Sequence, residues 1–388
     1  MHDIAIAGGG IGGLTAACGL LKAGHRVRVF EQSPDPGEFG AGLSIAPNAA
    51  AVLNELGLRD QILVLSNLPQ EGRVHDGRSG ELLSTTPYGE AVREHFGDYY
   101  YQTPRSSLYD LLAETIHALD PDCIHTGHRV TGYSEPRSSA TLHFAGQPDQ
   151  EAEVLIGADG LRSVIRGSMV GEVPARFTRY IAWRALIPMT DLPESYQAPR
   201  SNVWIGPQRN FVFYPLADNT QLNCAMFAGD SDWTEEGWRQ RAEVEEIRQA
   251  YQDFHPIVQT VIDALPADGC YKWALFDRDP LSRWHTPRVA LLGDAAHPML
   301  PFLGQGASMA LEDAAELIHA LVQHADPDRA LAAYQTARLE RANWVLLESR
   351  AAGERFASPN PSASLFSNDQ AMQTGKLFGW RPPALAKG

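Results

Sequence analysis

Three glycines near the start of the chain have the spacing of a turn that binds a nucleotide pyrophosphate. Gly8, Gly10 and Gly13 follow the apolar run 4–7 and precede the Ala- and Leu-rich segment 14–23. The first glycine permits a tight turn, the second lets the backbone approach a pyrophosphate, and the third lets the next helix pack against the strand. The free amide groups at a helix N-terminus attract phosphate. The motif predicts a dinucleotide site without choosing between NAD and FAD.

An acidic residue completes this motif. The next predicted strand, 27–31, ends at Glu31, which lies 18 residues after Gly13. This separation is close to the one at which an acid can bond a ribose hydroxyl. The strand, glycine turn, helix, second strand and acid together indicate a Rossmann-like α/β unit.

Other candidate residues are weaker when each is taken alone. Asp159 and Asp294 each follow an apolar predicted strand, in turns that contain glycine. Asp159 is also explained as an ordinary turn aspartate before a glycine. Arg105 lies just before a predicted helix start, where a solvated surface arginine is the ordinary interpretation. The segment with Gly40 and Gly42 is either an ordinary turn or backbone that passes close to a flat ring.

The middle of the chain predicts a second structural unit. Runs of β-branched and aromatic residues separated by turns extend from about 178 to 229, which is typical of a mostly antiparallel sheet. Hairpin-like strands are predicted between about 73 and 101, and helices for 308–324 and 327–356. A reductase with two dinucleotide domains would need a second glycine motif after a strand, and the sequence contains none. This favours a flavin enzyme that meets NADH or NADPH only transiently.

Composition argues against several classes of protein. The chain has 388 residues, 44% hydrophobic and 20% charged, with a net charge of −15, as in an acidic globular protein of about two domains. This acidity disfavours nucleic-acid binding. Four cysteines without Cys-x-x-Cys spacing predict reduced thiols, no metal site and a cytoplasmic location. We expect no membrane span, because no segment reaches about 18 continuous apolar residues. We expect no signal peptide, because the N-terminus lacks a basic region and its apolar run forms the first predicted strand.

The order of the motifs resembles a known family. The three segments are the N-terminal glycine turn with Glu31, the turn at 157–160, and the late segment that contains Asp294 and the loop 304–306. In this order they resemble the single-component FAD-dependent aromatic hydroxylases, such as salicylate, 3-hydroxybenzoate and 6-hydroxynicotinate hydroxylases. The motifs span residues 8 to 306, so the resemblance covers nearly the whole chain except the last helices and the tail.

The resemblance implies a Rossmann-like FAD-binding domain with an inserted, mostly antiparallel β-sheet substrate domain and C-terminal helices. We expect the FAD-binding domain at 1–72, 98–176 and 270–356, the substrate domain at 73–97 and 177–269, and an extended or partly mobile tail at 357–388. In such enzymes NADH or NADPH reduces FAD, O₂ adds to the reduced flavin as a hydroperoxide, and oxygen is transferred to an electron-rich aromatic carbon. The cofactor carries this chemistry, and the protein positions the substrate and excludes water. The implied partners are a small aromatic substrate and O₂, and the implied state is a monomer or homodimer.

The resemblance also assigns cofactor contacts. The glycine turn would hold the pyrophosphate. The further residues implied are Glu31 for the adenosine ribose, Arg105 for the FAD, Val130 for the adenine through its backbone, Asp159 for FAD and the reduced nicotinamide, and Asp294 for the ribityl chain. The loop from Pro301 to Ala307, with Gly304 and Gly306, would lie beside the isoalloxazine and offer amide groups to its pyrimidine end.

Substrate contacts are expected in the sheet domain. Tyr214 is the first candidate for contact with a substrate hydroxyl or for a proton relay, and a packed strand tyrosine is an equal alternative. Arg184 could pair with a carboxylate, and a salt bridge within the sheet is the alternative. Several members of the family place a histidine near the strand that carries Tyr214. Residues 210–214 contain none here, which leaves the catalytic base unidentified.

The remaining candidates have two interpretations each. His297 would be structural or a minor contributor near the flavin, and the Pro301 carbonyl could face the hydroperoxide. Trp204, Phe211 and Phe213 could form a wall for a flat ring, which core packing explains equally well. The alternatives to an aromatic hydroxylase are an oxygenase or epoxidase that acts on a larger natural product, and a flavin reductase or binding protein without oxygenation.

Overall fold

A computed structural model describes residues 1–36, 42–171, 174–216, 218–229, 231–234, 240–358 and 374–385. Its strands are β1 (Asp3–Ala7), β2 (Arg26–Phe30), β3 (Gly42–Ile45), β4 (Glu71–Asp76), β5 (Leu82–Pro87), β6 (Tyr101–Pro104), β7 (Ile124–His125), β8 (Val130–Ser134), β9 (Ala140–Phe144), β10 (Gln150–Ala152), β11 (Val154–Gly157), β12 (Arg176–Pro188), β13 (Arg200–Gly206), β14 (Arg209–Leu216), β15 (Gln221–Ala228), β16 (Gln240–Arg241), β17 (Tyr271–Asp277) and β18 (Val289–Leu291). Its α-helices are α1 (Ile11–Lys22), α2 (Pro47–Glu55), α3 (Arg59–Val64), α4 (Gly89–Phe96), α5 (Arg105–Leu119), α6 (Val164–Val170), α7 (Val244–Ala250), α8 (Pro256–Asp263), α9 (Gly306–Gln323) and α10 (Pro327–Ala357).

Five parallel strands form the sheet that carries the glycine turn. Their order is β18-β11-β1-β2-β7, and every neighbouring pair runs parallel. Ile4 and Ile6 of β1 are fully buried, as expected for a central parallel strand with both faces covered. Helix α1 connects β1 to β2 and packs against α5 and α9. The predicted Rossmann-like unit is therefore confirmed.

A second sheet has eight strands in the order β16-β17-β12-β15-β14-β13-β4-β5. Neighbouring strands run antiparallel, apart from β4 and β13, which are parallel. The predicted mostly antiparallel sheet and the α/β class are confirmed. Strands β4 and β5 join this sheet from the N-terminal part of the chain, and the exact division into domains stays a prediction.

The two faces of the eight-stranded sheet have different coverings because side chains alternate along a strand. On one face, residues of β12, β14 and β15 form a buried core with Tyr251 and Val258 from the segment that contains α7 and α8. Trp204, Phe211 and Phe213 all belong to this core. Core packing therefore accounts for these three aromatic residues, which do not form a wall on the Tyr214 face.

The opposite face lies against the N-terminal part of the chain. The Gly42 amide in β3 donates to Asn223 Oδ1 in β15 at 2.8 Å. A Cβ at Gly42 would lie 2.7 Å from Leu216 and 2.8 Å from Asn223, so close packing against the sheet explains this glycine. Gly40, predicted with it to approach a flat ring, lies outside the described residues.

The C-terminal helices pack together, and part of the tail returns to them. Helices α9 and α10 are in contact, and Arg341 of α10 donates to the carbonyl oxygens of Lys376 and Leu377 at 2.9 and 2.8 Å. Leu377 and Phe378 are buried. Residues 374–385 of the tail are therefore packed, whereas the sequence predicted an extended or partly mobile segment. No helix in the described part of the chain is long and apolar enough to span a membrane.

Candidate active site

The turn between β1 and α1 combines close packing with open space. Gly8 has a φ of +106°, and a Cβ there would lie 2.3 Å from the Ala158 carbonyl oxygen. A Cβ at Gly13 would lie 2.2 Å from the Gly8 carbonyl oxygen, so the backbone itself requires both glycines. At Gly10 a Cβ would meet no atom of the described residues within 4 Å. Space for a phosphate therefore lies at the N-terminus of α1.

Glu31 directly follows β2, at the same edge of the parallel sheet as the glycine turn. Its Oε2 accepts from the Gly9 amide at 2.9 Å, and its Oε1 accepts from the Ser33 amide at 2.8 Å. The His128 amide donates to the Glu31 carbonyl oxygen at 2.8 Å, which brings the start of β8 and half-buried Val130 close to this acid. The residues predicted to contact the ribose and the adenine thus lie close together, at the carboxyl edge of the parallel sheet.

Asp159 organises the turn before α6. Its Oδ2 accepts from the amides of Val164 and Ile165 at 2.8 and 3.1 Å. Its Oδ1 accepts from the Ser163 hydroxyl at 2.5 Å. Burial raises the pKa of the Asp159 carboxyl, and these hydrogen bonds oppose the shift. The carboxylate therefore holds the start of α6 in place, and its predicted contacts with FAD and nicotinamide stay predictions.

Arg105 and Asp294 are distant in sequence and close in the fold. Burial lowers the pKa of Arg105, and the nearby carboxylates of Asp294 and Glu31 oppose this shift. Burial among protein groups raises the pKa of Asp294, with His297 and Arg105 opposing, yet the Asp294 side chain keeps exposed surface. Asp294 is therefore close to Arg105 and His297 and still open to solvent, as contact with a bound cofactor requires.

The loop between Asp294 and α9 leaves room for a flat ring. Pro301–Leu303 forms a 3₁₀ turn, and Gly304 follows in the left-handed region with a φ of +63°. A Cβ at Gly304 or at Gly306 would meet no described atom within 4 Å. Ala307 lies in the first turn of α9. Open space therefore adjoins this helix N-terminus, where amide groups favour negative charge.

The same loop touches the eight-stranded sheet. The Phe302 ring meets the Tyr180 ring edge-on at a centroid distance of 5.3 Å, and it lies 5.5 Å from the Phe227 ring. Phe227 belongs to β15 and Tyr180 to β12. The loop from Pro301 to Ala307, here called the cofactor loop, is therefore in direct contact with the face of the eight-stranded sheet that carries Tyr180 and Phe227.

His297 is fully buried and supports the cofactor loop from behind. Its Nε2 lies 2.5 Å from Asp313 Oδ2, and the same oxygen accepts from the Gly293 amide at 3.0 Å. His297 and Arg338 hold the pKa of Asp313 far below its usual value, at about 2. These contacts support the structural interpretation of His297, because they anchor the turn that carries Asp294.

A buried ion network extends this support, and the sequence did not predict it. Arg338 of α10 donates to Asp313 Oδ1 at 2.7 Å and to Glu312 Oε2 at 2.5 Å, and all three side chains are fully buried. Glu312 also accepts from Asn48 of α2 at 2.6 Å and from Arg341 at 2.7 Å. Buried charges are tolerated when they are paired in this way. A short-range motif could not reveal pairs formed between separate helices.

Arg184 in β12 and Tyr214 in β14 share the face of the sheet that meets the cofactor loop. Strand β15 lies between them, and their partners on it are Ala225 and Asn223. The Arg184 guanidinium lies over the Trp273 ring, 5.0 Å from its centroid. Burial lowers the pKa of Arg184 to about 10. Burial raises the pKa of the Tyr214 phenol, although Arg184 opposes that shift.

Three further polar residues lie on this side of the site, and sequence reasoning missed them. Ser44 lies close to the phenols of Tyr214 and Tyr100. The rings of Tyr88 and Tyr100 stack with centroids 4.6 Å apart and an interplanar angle of 4°. These residues belong to no motif, and only the fold brings them to Tyr214.

The fold and the arrangement of the site residues define a class of protein. The site combines one dinucleotide turn, a solvent-exposed Asp294 and a sheet face that touches the cofactor loop. These are features of a flavin enzyme with a single nucleotide-binding domain. Within the described ranges, no three His, Cys, Asp or Glu side chains are grouped to hold a metal ion.

Comparison with known proteins identifies the family. The sequence model of the family described as an FAD binding domain matches residues 1–349. The chain is 36% identical over 375 residues to a 3-amino-4-hydroxybenzoate 2-monooxygenase of Streptomyces platensis, covering 96% of this chain and 93% of that protein. It is 35% identical over 354 residues to the 3-hydroxybenzoate 6-hydroxylase of Polaromonas naphthalenivorans (strain CJ2), covering 91% and 88%. A salicylate hydroxylase solved as a substrate complex matches with a TM-score of 0.80 and 27% identity, covering 99% of this chain and 98% of that chain.

The chain therefore belongs to the FAD binding domain family, and it is an FAD-dependent monooxygenase that uses NADH or NADPH. The resemblance to FAD-dependent aromatic hydroxylases, predicted from the order of the motifs, is confirmed. The roles of individual site residues stay predictions, and the geometry above gives each of them a place.

Proposed function

We propose that this enzyme hydroxylates a small aromatic ring that carries a hydroxyl and a carboxylate. The relatives above are named for 3-amino-4-hydroxybenzoate, 3-hydroxybenzoate and salicylate, and each of these compounds is a carboxylated phenol. The observation that carries the proposal is that Arg184 and Tyr214 lie on the same face of the sheet, and that this face meets the cofactor loop. A half-buried cation and a buried phenol suit the two polar groups of such a ring.

Each polar group of the substrate would have its own partner. The Arg184 guanidinium would donate to the carboxylate, a charge-assisted contact that is strong in a buried site. The Tyr214 phenol would contact the ring hydroxyl. Loss of the proton from that hydroxyl makes the ring more electron-rich, which favours attack on an electrophilic oxygen.

The residues that would hold FAD come from several separate segments of the chain. They are Gly8, Gly10, Gly13, Glu31, Arg105, Val130, Asp159 and Asp294, with the loop residues Gly304, Gly306 and Ala307. Bound FAD supplies the redox chemistry, since it accepts a hydride from NADH or NADPH and activates O₂. The protein would hold the ring against the loop that begins at Pro301, whose carbonyl would face the reacting oxygen, and would exclude water.

Asn210 supports a role for Tyr214 in handling the proton. Asn210 and Tyr214 lie on one face of β14, the strand near which several members of the family place a histidine, and Asn210 is only 3% exposed. An amide side chain does not take up a proton near neutral pH. The ring hydroxyl would therefore contact the Tyr214 phenol and not a basic residue at position 210.

Turnover by the FAD-loaded protein tests the proposal. NADH or NADPH oxidation, O₂ uptake, peroxide and product mass would be measured with 3-amino-4-hydroxybenzoate, 3-hydroxybenzoate, salicylate and 6-hydroxynicotinate. The matched controls are the same rings without the carboxylate. We expect one carboxylated ring to accelerate oxidation, yield little peroxide and gain one oxygen atom.

The other outcomes are equally informative. Fast oxidation with stoichiometric peroxide would identify an effector that is not hydroxylated. No stimulation by any of these compounds would contradict the proposal and favour a larger substrate or a flavoprotein without oxygenation.

We also propose a cytoplasmic location and a monomer or homodimer. All four cysteines are free and buried, which is consistent with a reducing compartment. Light scattering of the FAD-loaded protein tests the oligomeric state, and a stable assembly larger than a dimer would contradict it.

A further inference from the structure

Residues 374–385, here called the C-terminal segment, are bonded to the rest of the fold at both ends. Near the start of the segment, Arg341 of α10 donates to two of its carbonyl oxygens. The same guanidinium donates to both carboxylate oxygens of Glu312 at 2.7 and 2.8 Å. At the other end, the Leu385 amide donates to Glu55 Oε2 at 3.4 Å. One arginine therefore joins the C-terminal segment to α9, the helix that begins at the cofactor loop.

Two large apolar side chains of the C-terminal segment pack in a cluster that reaches the cofactor loop. Leu377 and Phe378 are buried, and they share this cluster with Met309 in the first turn of α9. Leu303 of the cofactor loop packs against the same cluster. The Phe378 ring meets the Phe96 ring edge-on at a centroid distance of 5.6 Å, and close packing of this kind fixes side chains. The C-terminal segment therefore provides part of the apolar surface on which Leu303 packs.

The position of Leu303 matters because the backbone next to it borders open space. Leu303 ends the 3₁₀ turn that begins at Pro301, and Gly304 follows it. A Cβ at Gly304 or at Gly306 would meet no described atom within 4 Å, and α9 begins there. Amide groups at a helix N-terminus stabilise negative charge, and this effect falls off within the first turn. A small displacement of the cofactor loop would therefore weaken the stabilisation of a charged group beside it.

We infer that Leu377 and Phe378 are positioning residues that act through Leu303 to hold the amide groups of the cofactor loop against reduced FAD. Reduction adds negative charge to the flavin, and amide groups fixed in advance stabilise that charge. The protein then binds the reduced cofactor more tightly, which raises the midpoint potential of bound FAD. The two residues influence this potential without touching the cofactor. This inference rests on the proposed place of FAD beside the cofactor loop.

The midpoint potential of bound FAD tests this role without a substrate. The FAD-loaded protein is reduced gradually beside a dye of known potential, and the visible absorption of the flavin is followed. Phe378→Ala and Leu377→Ala leave the net charge unchanged, so a shift in potential cannot come from an altered charge. Loss of one hydrogen bond to a charged group should weaken the binding of reduced FAD about tenfold. For two electrons, this loss lowers the potential by about 30 mV.

Phe254 provides a matched control for general loss of stability. It is 4% exposed, compared with 8% for Phe378, and it belongs to the core on the helix side of the eight-stranded sheet. Phe254→Ala therefore removes the same atoms from a comparably buried place on the sheet face opposite the cofactor loop. We expect a lower melting temperature and an unchanged potential.

Leu303→Ala is the positive control, because it alters the cofactor loop itself. Its potential should fall as in Phe378→Ala. When both residues are replaced, the shift should be smaller than the sum of the two single shifts, since residues in one contact network are not additive. FAD content and melting temperature verify each fold, and Phe378→Leu preserves the test if Phe378→Ala does not fold.

The outcomes separate this inference from the proposed place of FAD. A lower potential in Leu303→Ala, with an unchanged or higher potential in Phe378→Ala and Leu377→Ala, overturns the inference alone. An equal shift in Phe254→Ala also overturns it, because the effect would then reflect general loss of stability. Wild-type potentials in all of these variants overturn both the inference and the place of FAD beside the loop. Lower potentials in Phe378→Ala, Leu377→Ala and Leu303→Ala, with the wild-type value in Phe254→Ala, support the inference.

Discussion

Two regions of this enzyme are built in different ways. The nucleotide end is the glycine turn with Glu31, and the substrate face is the side of the eight-stranded sheet that carries Arg184 and Tyr214. The nucleotide end depends on the backbone, since Gly8 and Gly13 leave no room for a Cβ. The substrate face depends on side chains such as Arg184 and Tyr214, which extend from strands of one sheet. A backbone turn accepts few residue types, whereas a sheet face accepts many. Substitution can therefore change the substrate while the cofactor site is kept.

The comparison also shows where buried charge is used. Behind the cofactor loop, Arg338 pairs with Glu312 and Asp313 in a fully buried network. On the substrate face, half-buried Arg184 lies over the Trp273 ring and near the Tyr214 phenol. The first arrangement is held by paired opposite charges, whereas the second is proposed to pair its cation with the carboxylate of the substrate. The two regions should therefore respond differently to removal of an arginine.

The largest effect is expected from Arg338→Met, which removes one member of the buried network. Glu312 and Asp313 would lose their shared cation, so the free energy of unfolding should fall by about 3 to 5 kcal/mol. Urea unfolding of the FAD-free protein measures this loss. Exposed Arg329, on the same helix, provides the control, and Arg329→Met should change the free energy by less than about 0.5 kcal/mol. Equal effects of the two variants would show that the network is not needed for stability.

Two glycine variants at the nucleotide end distinguish a glycine needed for backbone packing from a glycine that leaves space for a ligand. Gly13→Ala places a Cβ against the Gly8 carbonyl oxygen and should cost about 1 to 3 kcal/mol of stability together with FAD binding. Gly10→Ala projects into open space and should cost less than about 1 kcal/mol of stability, yet weaken FAD binding. Thermal unfolding of the FAD-free protein and FAD titration measure both effects. Wild-type FAD affinity in Gly10→Ala would show that no phosphate lies there.

The nucleotide end could be predicted because its motifs join residue type to local spacing. Gly8, Gly13 and Glu31 lie within one strand, helix and strand, and the fold places them as the spacing required. The buried network could not be predicted in this way. Its partners lie on separate helices, and no local pattern distinguishes Arg338 from an exposed arginine of the same helix.

The substrate face was predicted only in part, for a different physical reason. The strand pattern around Phe213 and Tyr214 is evident, but alternation alone does not say which face the helices cover. The fold sends Phe213 to the helix side and leaves Tyr214 toward Ser44. Ser44 itself lies in a short strand without a motif, so its place near Tyr214 depends on contacts between segments far apart in the chain.

Substitution of Arg184 tests the substrate face directly. Arg184→Gln should raise the KM for a carboxylated ring about 10- to 100-fold, because one hydrogen bond between charged groups is lost. The KM for the same ring without the carboxylate should be unchanged. Arg184→Lys keeps the charge without the planar fork and should give an intermediate value. Steady-state kinetics at matched FAD content measure these values. An equal rise for both rings would assign Arg184 to the stability of the sheet.

The smallest effect is expected on the other face of the same sheet, where Phe213→Leu tests the division between core and site. Phe213 is buried among the residues that meet the helix side, so the smaller side chain should cost about 1 kcal/mol of stability. Its neighbour in sequence, Val212, lies on the Tyr214 face as the ladder partner of Ala225, and Val212→Ala is the matched variant. We expect Phe213→Leu to lower the melting temperature without changing the KM, and Val212→Ala to change the KM. A changed KM in Phe213→Leu at unchanged FAD content would return this residue to the substrate site, because a helix-covered core residue cannot touch the ring.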